Sequence, residues 1–389
     1  MANIAVVHVP FYSHIEAATR LSGALVRQGH SVIAWGPERS RATIEASGAR
    51  FVLHTPEMPH VDTFMAHVAS LAATTEEATT GLVDELHEHE IDLIIHDSQV
   101  PWARVAGDYL GLPRIVSYPM FPIAANRAIP SDFGEGEEPA PTSEEALEGF
   151  EASWRAIALR WGVELGDWNS VIHTAGESET TLTFTTQEIL GDYELRPGWH
   201  CIGPLMDAPP PRAPRPERPL VYVCFGTSFN ARYGHFMAAI EGLADEPVDV
   251  LVSTGGGPMT KEHLPPLPAN VTVHEFAPGR EVLARASLHV THGGNNSVNE
   301  TLLAGVPMLL MPQAWDQWPL AGRVEGLGAG LIADESADAV RTAARWLLED
   351  DRITARAREL GRHLAGYDGA GRVADAVDHV LDGDLALSA

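Results

Sequence analysis

From residue 3 the chain runs "NIAVVHV", then "SHIEAATRLSGALVRQ", then "GHSVIAW". An apolar β-branched run, apolar residues at helical spacing, a glycine stop and a second apolar run make a strand, helix, strand unit. The style repeats, with "IDLIIHD" and "PRIVSYP" as apolar strands around the helical "PWARVAGDYLG". Strands with no polar alternation must be buried on both faces, so the pattern requires a parallel sheet covered by helices.

After the stretch "MDAPPPRAPRPERP" a second such series begins, with "LVYVCFG", "VDVLVSTG", "VTVHEF", "LHVTHG" and "PMLLMP" as strands between helices. Prolines cannot donate ladder bonds and hold an extended path, so this stretch reads as a linker. At 389 residues the chain exceeds one ordinary core. The expected organisation is therefore a first Rossmann-like domain over 1–205, a Pro-rich linker over 206–219 and a second Rossmann-like domain over 220–389. The last helix is free to pack back on the first domain. The polar, acidic "SDFGEGEEPAPTSEE" at 131–145 is expected to be a loop on the first domain.

Composition narrows the partners. With 26 basic and 53 acidic residues the formal net charge is −27, a field that repels phosphate backbones and argues against nucleic acid. An anionic ligand must then be held by local donors such as helix N-termini. Cys201 and Cys224 make neither a disulfide framework nor a metal cluster. Pro10 follows "MANIAVVHV" too early for a signal peptide, and no apolar run is long enough to span a bilayer, so the expected location is cytoplasmic. Lys261 is the only lysine, a habit of GC-rich bacterial genomes.

The stretch "LHVTHGGNNSVNETLLAG" carries the most chemistry. A strand ends near Val290, His292 sits in the turn, Gly293 and Gly294 admit close backbone approach, and Asn296 and Ser297 open the next helix. Amides and the positive end of a helix dipole converge there, as metal-free phosphate binding requires. Glu300, one turn in, suits ribose hydroxyls. A plainer reading takes Ser297 to Glu300 as a capping box. Further groups fall at the same edge of the sheet: Gly226, Thr227 and Ser228 in "CFGTS", the aromatic Phe276, and Asp316 and Gln317 in "MPQAWDQ".

Phe276, Pro278, Leu283, His292, Gly294, Asn296, Ser297, Glu300, Pro307, Pro312, Asp316 and Gln317 have the order and spacing of the nucleotide-sugar box of family 1 glycosyltransferases. The chain resembles the bacterial members that decorate antibiotics and other natural products. The resemblance implies a GT-B fold, with two Rossmann-like domains facing across a cleft. It also implies that Phe276 stacks near the base, that His292, Gly294 and Ser297 bind the diphosphate, that Glu300 binds the ribose, and that Asp316 and Gln317 contact the donor sugar. Gly279 departs from the glutamine usual after the proline, so a contact made by that side chain is absent or moved.

In the first half, "PFYSHIEAA" puts His14 at the start of the first helix, and "IIHDSQVPW" ends a strand with Asp97. A neutral histidine takes a proton from a hydroxyl near neutral pH, and a carboxylate on its other nitrogen fixes the tautomer. Ser13 and Ala17 stand where the family commonly has glycine and proline. His96 should point to the opposite face of the strand as a structural residue.

The reading is an inverting, metal-independent glycosyltransferase, with His14 as general base oriented by Asp97. No cofactor is expected beyond a dTDP- or UDP-linked sugar as co-substrate. The acceptor is an apolar small molecule, with Phe64, Met120, Phe121, Trp154 and Trp161 as candidate pocket residues. A homodimer or an auxiliary protein partner stays open. The alternatives are a catalytically silent GT-B activator or scaffold, and an epimerase or hydrolase of nucleotide sugars, for which Glu16 supplies a nearby extra carboxylate.

Overall fold

The computed structural model describes residues 1–54, 64–122, 144–166, 180–206, 209–211, 217–227, 233–256, 260, 263–313 and 316–383. Of the loop expected at 131–145, positions 131–143 lie outside these residues, and Glu144 opens a helix. The chain divides into two compact units, each around one parallel sheet.

The first unit comprises Met1–Thr183, Glu194–Leu205 and Asp368–Ala389. Its early strands are β1 (Asn3–Val7), β2 (Ser31–Gly36), β3 (Arg50–Leu53) and β4 (Leu93–Asp97). They are followed by β5 (Arg114–Tyr118), β6 (Thr180–Thr183) and β7 (Trp199–Cys201). These lie in the order β3-β2-β1-β4-β5-β6-β7, every pair parallel. Helices α1 (Tyr12–Arg27), α2 (Arg41–Ala46), α3 (Phe64–Glu88), α4 (Pro101–Leu110) and α5 (Glu144–Trp161) connect them. The β-branched runs fill the sheet, and Ile4, Val7, Ile94 and Ile95 are wholly buried between helices.

The second unit takes Phe184–Tyr193 and Met206–Tyr367. After the short α6 (Gln187–Leu190) come β8 (Leu220–Cys224), α7 (Tyr233–Leu243), β9 (Asp249–Ser253), β10 (Val271–His274) and α8 (Gly279–Leu283). Next come β11 (Leu288–Thr291), α9 (Asn295–Leu303), β12 (Met308–Leu310), α10 (Gln317–Gly326) and β13 (Gly330–Ile332). The helices α11 (Ala337–Glu349) and α12 (Asp351–Ala365) complete it, while α13 (Gly369–Leu381) returns to the first unit and packs on α1. The sheet order is β10-β9-β8-β11-β12-β13, again parallel throughout.

The division differs from a single crossing in the proline-rich stretch. The chain passes between units after Thr183, Tyr193, Leu205 and Tyr367, so residues 184–193 belong with the second unit despite their place in the first half of the sequence. Specific donors hold them there. Asn299 and Asn295 donate to the Phe184 carbonyl at 2.7 and 3.3 Å, Arg323 to the Ile189 carbonyl at 2.9 Å, and Arg356 pairs with Glu188 at 3.3 Å.

Both sheets reverse direction of growth in the middle, between β1 and β4 in one and between β8 and β11 in the other. Loops leaving adjacent strands there go to opposite faces and leave a crevice at the C-terminal edge. The residues after β1, at the end of β4, after β8 and after β11 are those the sequence marks out.

Helix α9 follows β11 and rests closely on α12, because Gly361 has no side chain. A Cβ there would lie 2.0 Å from the Leu302 carbonyl oxygen, which cannot yield without moving a helix. Gly361→Ala should therefore lower unfolding free energy by about 1–3 kcal/mol, read as a lower urea midpoint at unchanged slope. An unchanged midpoint would show that the two helices separate without cost.

Candidate active site

In the first unit the N-cap of α1 is Phe11, in extended conformation, and the His14 amide donates to the Phe11 carbonyl at 3.0 Å. His14 is thus the third residue of the helix, turned toward the end of β4. Its Nδ1 lies 2.7 Å from Oδ2 of Asp97, and both side chains are buried, at 6% and 3% exposure. Oδ1 of Asp97 accepts the Gln99 amide at 2.8 Å. A carboxylate with both oxygens engaged as acceptors requires the imidazole proton on Nδ1, which leaves the lone pair on Nε2.

One further histidine, His8, interacts with this pair, and His54 interacts with His8. His8, at the end of β1, bonds the Val9 carbonyl through Nδ1 at 3.0 Å, and burial lowers its pKa to about 4. Burial, with His8 nearby, lowers His54 likewise to about 4. Both stay uncharged at neutral pH, so the charge of Asp97 has no cationic competitor on these rings. His96 is buried in β4 with Nδ1 on the Asp97 carbonyl at 3.0 Å, a structural position. Glu16 is held by Arg20 at 2.8 Å.

In the second unit the turn after β11 is built around the ring of His292. Gly226 and Gly293 have φ of +83° and +81°, which favour glycine. A Cβ at Gly226 would sit 2.9 Å from Cε1 of His292, and one at Gly294 would sit 2.5 Å from its Nε2, so glycines on two loops make the slot for the ring. Burial lowers the His292 pKa to about 4, with His235 adding repulsion, so the ring is neutral and offers one N–H.

Helix α9 begins at Asn295 with Gly294 as N-cap and no side-chain capping bond. That overturns the capping-box reading of Ser297 to Glu300. Ser297 is the third residue of the helix, and its carbonyl accepts from Thr301. The start of a helix carries the positive end of its dipole, an environment that favours negative charge.

Around it, Phe276 is 56% exposed, which excludes a core role for that ring. Gly279 adjoins the Tyr222 hydroxyl, 3.6 Å from a built Cβ. Glu300 and Arg280 line a groove with Met206, Pro209 and Leu303. Thr227 is half-buried in the β8 turn, and Ser228 lies outside the described residues. Asp316 is the N-cap of α10, half-buried and making no capping bond. Gln317 is buried, and its Oε1 accepts the Gln313 amide at 2.7 Å, so half of the amide expected to contact sugar ties its own turn together.

Of the candidate acceptor residues, Phe64 opens α3, with its side chain outside the description. Phe121 is fully buried, and Trp154 is a core residue whose Nε1 donates to the Gly166 carbonyl at 3.0 Å. Met120 is half-buried under the Gln99 amide, and Trp161 meets Tyr109 edge-on at 5.0 Å between ring centroids. Sequence reasoning missed Gln99, Arg280 and Gln313. Only Arg280, beside the departure at Gly279, carried a signal. Among the described residues no three His, Cys, Asp or Glu side chains cluster as a metal site, and no helix is long and apolar enough to cross a membrane.

Residues 248–377 match the family described as "Erythromycin biosynthesis protein CIII-like, C-terminal domain". The demethyllactenocin mycarosyltransferase of Streptomyces fradiae is 27% identical over 98% of this chain and 87% of its own length. The NDP-glycosyltransferase YjiC of Bacillus subtilis (strain 168) is 24% identical over 97% and 96%. The crystal structure of the glycotransferase of kitacinnamycin superposes with a TM-score of 0.80 at 26% identity, covering 97% of this chain and 98% of that one. The chain is a GT-B glycosyltransferase. Its likeness is to the family 1 enzymes of natural-product biosynthesis, and it extends over both units rather than the C-terminal match alone.

The transferase keeps four histidines uncharged by burial, with pKa lowered to about 4 at His8, His54 and His292 and to about 3 at His289. Unfolding would let each titrate near 6.5. The unfolded chain then binds more protons at mildly acidic pH, so this contribution is complete above pH 6.5 and is lost as pH falls from there toward 4. His292→Asn should flatten that fall by up to one proton, about 1.4 kcal/mol per pH unit. Urea unfolding at pH 7.0, 6.0 and 5.0 checks this, and equal slopes in variant and parent would place the titrating groups elsewhere.

Proposed function

We propose that this protein is an inverting glycosyltransferase that moves a sugar from a dTDP- or UDP-linked donor to an apolar natural-product acceptor without a metal ion. The observation that carries the reading is the buried contact of 2.7 Å between His14 Nδ1 and Asp97 Oδ2. A structural histidine needs no buried carboxylate on one nitrogen with the other left basic. A general base does, because the carboxylate holds the ring and stabilises the imidazolium.

In this reading His14 Nε2 takes the proton of the acceptor hydroxyl while that oxygen forms its bond to the anomeric carbon. The bond from that carbon to the diphosphate breaks on the opposite face, and its electron pair stays on the diphosphate oxygen. In the same reading the first amides of α9 and the N–H of neutral His292 stabilise the developing charge, the positioned-donor stabilisation that a water-poor site makes effective. Exposed Phe276 suits a nucleobase, Glu300 a ribose hydroxyl, and Asp316 the sugar. Met120 and Trp161, both half-buried, suit the acceptor.

The alternative of an epimerase or hydrolase asks for an extra catalytic carboxylate, and Glu16 is engaged by Arg20. A silent scaffold leaves the Asp97 contact to His14 without a purpose.

His14→Ala should reduce transfer by about 10²–10⁴-fold and leave dTDP and UDP affinity as it is. Asp97→Asn should cost less, by loosening the ring. Wild-type turnover in His14→Ala, with chemistry rate-limiting, would remove His14 from the reaction. UDP or dTDP should also stabilise the protein in EDTA, by about 2.7 kcal/mol at a hundred times the dissociation constant. A thermal shift that appears only with added divalent metal would contradict metal independence.

A further inference from the structure

Five amide side chains are buried among the described residues: Gln99, Asn295, Asn299, Gln313 and Gln317. Four of them are used. Gln99 donates to Met120 Sδ, Asn295 and Asn299 donate to the Phe184 carbonyl, and Gln317 accepts the Gln313 backbone amide. Gln313 is the exception. Its side chain is 8% exposed, and neither Nε2 nor Oε1 has a hydrogen-bond partner. Leaving an amide buried with both ends unsatisfied costs free energy, and such a group in a native fold calls for a ligand or water to complete it.

Its place in the fold says which. Gln313 lies three residues past β12, whose neighbour β11 runs into the His292 turn, and the Met311 amide still bonds the Thr291 carbonyl at 2.8 Å. The two turns touch, because a Cβ on Gly293 would lie 3.1 Å from Leu310 and 3.7 Å from the Gln317 carbonyl. With its backbone amide pinned by Gln317, the Gln313 segment is fixed beside the turn that leads into α9.

Chemistry narrows it further. A phosphate oxygen would satisfy Nε2 and repel Oε1, and an apolar acceptor would satisfy neither. A hydroxyl donates and accepts, so one or two sugar hydroxyls complete both ends. We propose that Gln313 is a specificity residue for the donor hexose, its side-chain amide hydrogen-bonding a hexose hydroxyl, while Gln317 positions the turn. This rests on the donor site proposed at α9.

The test compares UDP and dTDP with UDP-glucose and dTDP-glucose by calorimetric titration of the full chain, wild type against Gln313→Met, which keeps volume and removes the polar atoms. The hexose contribution is the ratio of the bare nucleotide's Kd to that of the sugar nucleotide. It should fall about tenfold in Gln313→Met, with bare-nucleotide Kd unchanged and Tm at or above that of wild type. Gln313→Glu, which keeps an acceptor, should recover part of the ratio. An unchanged ratio would mean that water or nothing completes the amide, and equal weakening of nucleotide and sugar nucleotide would make Gln313 structural. Either result overturns the proposal. A wild type that binds no nucleotide would instead refute the donor site itself, which the same titration shows separately.

Discussion

A parallel sheet delivers every strand to one edge, and the right-handed connections leave a crevice wherever the strand order reverses. That constraint decides where chemistry can sit in this protein. It puts His14, in the first turn of α1 after β1, beside Asp97 at the end of the neighbouring strand β4, and Gly226 and His292 on neighbouring loops of the other sheet, although 83 residues separate His14 from Asp97. No local preference draws such residues together. The apolar runs of β1, β4, β8 and β11 do so, by burying their side chains between helices in fixed register.

The same constraint bears on how a strongly acidic protein, with net charge −27, would hold the anionic donor proposed for it. The long-range field is unfavourable to a diphosphate. In the function proposed above, what would favour it is confined to the start of α9, with its glycine N-cap, and to a histidine ring wedged between glycines. The interaction acts over a few ångströms and depends on geometry more than on charge.

Much of this was legible in the sequence. Strands β1, β2, β4, β5 and β8 to β12 are apolar enough to read directly, and glycine turns mark the site loops. Strands β6 (TTLT) and β7 (WHC) were not read, because short polar segments gain their strand character from neighbours already in place. The capping-box reading failed because the sequence pattern fits a start at Ser297, while the backbone begins its helix at Asn295. The pairing of Gln317 with the Gln313 amide was invisible for a different reason. Both glutamines look equally polar in sequence, and only burial and backbone geometry tell the tether from the unpaired amide.

The segment 184–193 bears on how such a chain can be recombined. Because Asn299, Arg323 and Arg356 hold it within the second unit, and α13 sits with the first, neither unit is a continuous stretch of gene. A chimera joined in the proline-rich stretch would pair a foreign 184–193 with the native clamp, and the native α13 with a foreign α1. Partners for exchange must match at those two surfaces as well as at the junction, which narrows the set of relatives from which a new acceptor unit can be borrowed.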